Sequence, residues 1–253
     1  MLQANTSHTT LYRPPQEGFH YALGVDVADG LEGGDASVIQ VGCVETGEHC
    51  LEAGGQINPY DLAEMAMMIG YYFNGALIGM ENNRDYTPNI IMQEQGYPNI
   101  HRQERFIERG TPEPTLKLGW NTGTFTRMKM IADGKDRLKS GEVEVLSPYV
   151  LAEMETFALH NGKFQALPGA HDDYLMAWLI MVQMLEAMQR RIFSESTGHD
   201  PLVEGGRLTA DGWQRIEGEG GEEETREQRI TQQLLERRAP ELSEPTTTMG
   251  NLI

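Results

Sequence analysis

Apolar and polar positions along this chain alternate, run together and recur in ways that predict an α/β domain. "FHYALGVDVADG" (19–30) is an apolar run that closes at Asp26. "ASVIQVGCV" and "HCLEAGGQI" follow after short connections, so the three predict an antiparallel meander. Asn58-Pro59 then opens a helix, because Leu62, Met65, Ala66, Ile69 and Phe73 recur at helical spacing. "GALIGMEN" is wholly apolar until Glu81, the pattern of a buried central strand. Beyond it the pattern predicts a helix over 88–96, a basic loop over 101–120 and a helix from Thr124 to Lys139. A short edge strand at "GEVEVLS", a helix from Pro148 to Phe157 and a hairpin at "LHNGKFQAL" come next. Last, "ALPGAHDDYLMAWLI" runs from a Pro-Gly loop through His171-Asp172-Asp173 into a largely apolar helix ending near Phe193.

Two stretches lack such patterning. Residues 1–18, with Pro14-Pro15, predict an extended lead-in resembling an interdomain linker. Residues 194–253 are rich in Gly, Glu, Thr and Pro and predict a mobile or partner-binding acidic tail, with a short amphipathic helix over 224–238. The folded domain is thus expected over 19–193.

Composition narrows the picture. No apolar run approaches the roughly 20 residues needed to span a bilayer, and the polar N-terminus has no apolar signal core, so a secreted or membrane protein is not expected. Two cysteines make no disulfide framework; a hairpin turning at Thr46-Gly47 would set Cys43 opposite Cys50, expected as reduced thiols. The net charge of −18 argues against a nucleic-acid partner as a bulk property. Locally the balance inverts: residues 102–139 carry nine Lys and Arg against five Asp and Glu. A basic surface within an acidic chain is compatible with phosphate contacts.

The chemistry is in the carboxylates. Asp26 and Glu81 close two strands, and Asp172 and Asp173 open the last helix. In an open α/β sheet, strand C-termini and helix N-termini can gather at one edge, so these distant acids can converge. Converging carboxylates without basic partners repel one another, and a divalent cation relieves that repulsion. Hard oxygen ligands select Mg²⁺ or Mn²⁺. Two such ions ~4 Å apart can activate water and stabilise the leaving oxygen of a phosphodiester. The plainer roles are a turn acid for Asp26 and a helix N-cap for Asp172.

The ordered set "GVDVADG…GDAS", "LIGMENN" and "GAHDDYLMAWLI" resembles the nuclease domain of phage large terminase subunits, which has the RNase H-like fold. The stretch from "GWNTGTFTRMKM" to "FQAL" is also similar, and the likeness spans roughly residues 19–190. It implies an α/β mixed sheet flanked by helices and a metal-dependent endonuclease that cuts concatemeric viral DNA during genome packaging. On this resemblance Asp26 matches the acid bridging two Mg²⁺ or Mn²⁺ ions, and Glu81 matches the second acid. Asp173 is the favoured third ligand with Asp172 assisting, because Met176 stands where the resolvase branch of the fold carries another acid. Asp35 matches a further acid, after a longer gap than usual. His171 is a candidate contact to metal, water or phosphate. Arg84, Lys117, Arg127 and Lys129 are candidate phosphate contacts.

The family further implies double-stranded DNA as substrate, and a terminase ATPase domain, portal protein and small terminase subunit as partners. It also implies a monomeric isolated domain acting in the cytoplasm of an infected host cell. The chain has no G-x-x-x-x-G-K-[ST] phosphate loop, so the ATPase motor is expected outside it. Three other readings compete. Actin-like ATPases share the "GVDVADG" loop but need two such domains. A Holliday-junction resolvase shares fold and metals, but the tail and the long span between Glu81 and Asp172 weigh against it. A non-enzymatic module docking on portal or motor leaves the acidic set unexplained.

Overall fold

Alternation along one strand sorts the molecule into two layers. In β2 (Tyr21–Asp26), Tyr21, Leu23 and Val25 face one core while Ala22, Gly24 and Asp26 face the other, as the two-residue period of a strand requires. A computed structural model describes residues 8–31, 34–105, 115–160, 163–197, 206–209 and 212–215. Its central sheet contains β1 (His8–Leu11), β2, β3 (Ser37–Cys43), β4 (His49–Gly55) and, after helix α1 (Pro59–Tyr72), β5 (Leu77–Met80). The strand order is β1-β4-β3-β2-β5; β5 runs parallel to β2 and the other pairs are antiparallel. The meander is as the pattern predicts; β5 is buried throughout, but it stands at the edge of the sheet order rather than at its centre.

One face of the sheet is covered by α1 and α2 (Thr87–Glu94), around Leu23, Ile39, Leu62, Phe73, Ile78 and Met92. Asn58 starts α1, its Oδ1 accepting from the amides of Tyr60 (3.0 Å) and Asp61 (3.1 Å), with Pro59 at the first turn. The other face is covered by α3 (Thr124–Ser140), α4 (Pro148–Thr156) and α5 (Asp173–Thr197). Two hairpins stand beside the sheet: β6 (Arg102–Arg105) with β7 (Thr115–Leu118), and β8 (Phe157–His160) with β9 (Lys163–Ala166). A further pair, β10 (Gly206–Thr209) with β11 (Gly212–Arg215), follows α5.

Helix α5 lies unusually close to the sheet because glycine faces it from four strands: Gly24, Gly42, Gly54 and Gly79. A Cβ on Gly24 would fall within the backbone of Ala177 and Met181. One on Gly79 would strike the Met184 side chain. This close seating fixes the height and rotation of α5, and with them the place of its first residue, Asp173.

Several expectations need correcting. The N-terminal lead-in is not merely extended: His8–Leu11 pairs with β4 as an edge strand. The predicted strand at "GEVEVLS" does not form. There the backbone amide of Glu144 donates to the Gly47 carbonyl (3.0 Å) and that of Leu146 to His49 Nδ1 (3.1 Å), so side chain and turn replace a ladder. Cys43 and Cys50 are not opposite each other. A bulge at Val41/Gly42 pairs Gly42 with His49, and the Cys43 amide donates to the Glu48 carbonyl. Both thiols are free and buried, as expected of reduced cysteines. The proposed tail helix over 224–238 lies outside the described residues.

Candidate metal centre

Strand alternation puts Asp26 and Glu81 on the α5 side of the sheet, at the C-terminal ends of the parallel neighbours β2 and β5. The Glu81 amide donates to the Val25 carbonyl (2.9 Å), which locks the two strand ends in register. Asp173 starts α5 directly above them. Glu81 and Asp173 are each 9% exposed, and Asp26 is half-buried.

These positions make ionisation costly. Burial raises the Asp26 carboxyl well above its usual range, and the charges of Glu81 and Asp173 add to the effect. Burial also raises Asp173, although the Ala36 amide, donating to its Oδ2 at 2.9 Å, pulls the other way. On the outer side Asp35 and His171 complete a second grouping. One ligand atom from each of Asp35, His171 and Asp173 lies within 4.8 Å of the other two. Asp173 therefore stands between the two: it groups with Asp35 and His171, and its charge acts on Asp26 at the strand ends.

The remaining residues singled out from sequence fall around this centre or away from it. Asp172 is turned outward into an ion pair with Arg127, whose Nε also donates to the Phe164 carbonyl (2.9 Å). Its side chain does not cap α5. That role passes to Glu153 on α4, whose Oε2 accepts from the Leu175 amide at 2.7 Å. Arg84 pairs with Asp35 (2.7 Å) on the rim. Lys117 is exposed on β7. Lys129 points into the seam between α3 and α5, bound by Asp133, Gln183 and Glu186.

Sequence reasoning passed over Glu153. It follows the fully buried Val150 by three residues, so it lies on the inward stripe of α4, and that spacing is the signal that marks it. Burial pushes its carboxyl up to about 7 against the lowering effect of the Leu175 amide. It lines a cleft of about 410 Å³ with Tyr149, His171, Asp173 and Tyr174.

The donor set fits a divalent cation. It offers four carboxylates and one imidazole, and among the described residues no lysine or arginine pairs with Asp26, Glu81 or Asp173. Asp26 and Asp173 have raised proton affinity and no basic partner, Arg84 offsets Asp35 only at the rim, and such an oxygen-rich set suits a hard ion such as Mg²⁺ or Mn²⁺.

A scan of protein-family models and a search of curated proteins each find no match. Solved structures do match. The large terminase nuclease from thermophilic phage G20c with bound cobalt superposes with a TM-score of 0.54 at 15% identity, covering 69% of this chain and 86% of that one. Its magnesium-bound form gives 0.54 at 16% identity, covering 69% and 86%. The nuclease domain of the large terminase of Thermus phage P74-26 gives 0.51 at 17% identity, covering 68% and 83%. The mixed five-stranded sheet between helical layers is thus the RNase H-like fold of the phage large terminase nucleases.

Proposed function

We propose that this chain is a metal-dependent endonuclease of a viral genome-packaging motor, cutting concatemeric double-stranded DNA, with a nuclease unit that runs from β1 through α5. The observation that carries this reading is the grouping of Asp35, His171 and Asp173 at the start of α5, with Asp26 and Glu81 at the neighbouring strand ends and the charge of Asp173 acting on Asp26. Neighbours of the same fold were solved with cobalt, magnesium or zinc, which supports reading this set as a holder of divalent cations. Asp26, Glu81, Asp173 and Asp35 would hold two Mg²⁺ or Mn²⁺ ions, with Asp172 in an outer, charge-balancing position. When bound, such ions act as Lewis acids that ease deprotonation of water and offset charge on the departing 3′ oxygen.

The chain's own groups do the positioning. The Ala36 amide orients Asp173, and the register of β2 with β5 holds Asp26 against Glu81. His171 is 61% exposed at the rim, where its imidazole can meet a phosphate or carry a proton at Nδ1. Arg84 and Arg127 neutralise the outer carboxylates and offer guanidinium groups to a DNA backbone. Phosphate contacts position DNA without reading its sequence, so low sequence specificity and salt-sensitive binding follow. Selection of the packaging site then falls to the ATPase domain, portal and small subunit, in the infected cell. No helix among the described residues is long and apolar enough to cross a membrane.

Incubation with supercoiled plasmid in Mn²⁺, Mg²⁺ or EDTA tests the reading. Nicking and linearisation that require metal, and that drop more than about 100-fold in Asp26→Ala and Asp173→Ala, are expected. Cleavage that persists in Asp26→Ala would overturn it.

A further inference from the structure

Resting on that nuclease reading, we propose that Glu153 is a positioning residue for the metal centre: it caps α5 from a neighbouring helix and thereby fixes where Asp173 stands. The first turn of any helix presents amides that no carbonyl within the helix can meet. In α5 the Met176 amide returns to the Asp172 carbonyl (2.8 Å), but the Asp172 carboxylate is committed to Arg127. The Leu175 amide donates instead to Glu153 (2.7 Å), and the Tyr174 amide is directed at the same carboxylate.

Glu153 can serve because its own helix is anchored. Ser147 Oγ accepts from the amides of Tyr149 (3.1 Å) and Val150 (3.0 Å), and Val150 is fully buried. Asp173 is therefore held twice, its helix backbone by Glu153 and its carboxylate by the Ala36 amide (2.9 Å). Removing the Glu153 acceptor frees the first turn and lets the carboxylate leave the position it shares between the two acidic groupings. Groups that orient ligands in this way typically govern metal affinity by about 10- to 100-fold.

The test compares the full chain with Glu153→Gln, Glu153→Ala and Glu153→Asp. Its readouts are Mn²⁺ affinity by calorimetry, amide hydrogen exchange at Tyr174 and Leu175, and plasmid nicking across Mn²⁺ concentrations. Glu153→Gln retains an acceptor oxygen and should keep Mn²⁺ affinity within about 3-fold, with slow exchange. Glu153→Ala should bind Mn²⁺ at least about 10-fold more weakly, exchange faster at both amides, and recover part of its nicking at high Mn²⁺. Wild-type affinity and exchange in Glu153→Ala would overturn the proposal, as would a Glu153→Gln variant as weak as Glu153→Ala. If Glu153→Ala does not fold, Glu153→Asp decides: it keeps the charge but falls a methylene short, so it should weaken binding, and wild-type affinity would sink the idea. A wild-type chain that binds Mn²⁺ but never nicks DNA would remove the nuclease reading while leaving this comparison valid.

Discussion

Lys129 and Arg127 lie two residues apart on α3, and their charges are used differently. Arg127 reaches the rim of the acidic centre, while Lys129 is 17% exposed and holds Asp133 and Glu186 in the seam with α5. Burial would raise the Glu186 carboxyl, but Lys129, Arg190 and Arg137 together hold it below its usual range. Lys129→Met should therefore destabilise the protein by about 1 kcal/mol in urea unfolding, since it removes the cation shared by the part-buried Asp133 and Glu186 while Arg190 still faces Glu186. It should leave the salt dependence of DNA binding unchanged. Lys117→Ala, on an exposed strand, should do the reverse: unchanged stability, weaker DNA binding and a salt slope flatter by about one charge. Sequence alone marked Asp26, Glu81 and Asp173 because each punctuates an apolar run. It did not show that Asp173 joins two groupings, or that Asp172 faces away, because both depend on which side of α5's first turn each carboxylate leaves. The spacing from Val150 could place Glu153 on the inward face of its helix, but not name its partner, an amide 22 residues away on another helix.

Among elements, α5 and its glycine bed are decisive. Gly24→Ala places a methyl group inside the α5 backbone, and the expected cost is about 3 kcal/mol or more, read from the urea midpoint. A lift of α5 off β2 would also carry Asp173 away from Asp26, so surviving folded protein should bind Mn²⁺ more weakly. The long helices were legible because their apolar stripes are long, and Asn58-Pro59 and Ser147-Pro148 announce two of the starts. The failures were short segments. β1 is four residues, mostly exposed, and earns its place only by pairing with β4. "GEVEVLS" alternates as an edge strand does, yet its polar backbone groups go elsewhere, the Glu144 carbonyl accepting from Trp178 Nε1 (3.1 Å).

Over the whole molecule, acid sensitivity comes from two buried histidines remote from the carboxylate cluster. His49 donates from Nε2 to Gln40 Oε1 (2.6 Å) and accepts the Leu146 amide at Nδ1, so it is held neutral. Burial lowers both His49 and His101 to about 4. A histidine with a depressed folded-state pKa stabilises fully above its unfolded value of about 6.5, and that stabilisation is lost as pH falls toward 4. Each contributes up to about 3 kcal/mol, opposed over the same range by the raised carboxyls of Asp26, Asp173 and Glu153, so the test is a difference: between pH 6.5 and 4 the melting temperature of His49→Gln should fall less than that of the wild type.

The hydrogen bond from the Ala36 amide to Asp173 joins positions 137 residues apart. On a ribosome, Asp26, Asp35 and Glu81 emerge early, but none of them can form the centre until the chain has been made past residue 173 and α5 has settled on its glycines. The carboxylate grouping is thus withheld from every nascent intermediate and arrives only once α5 is in place.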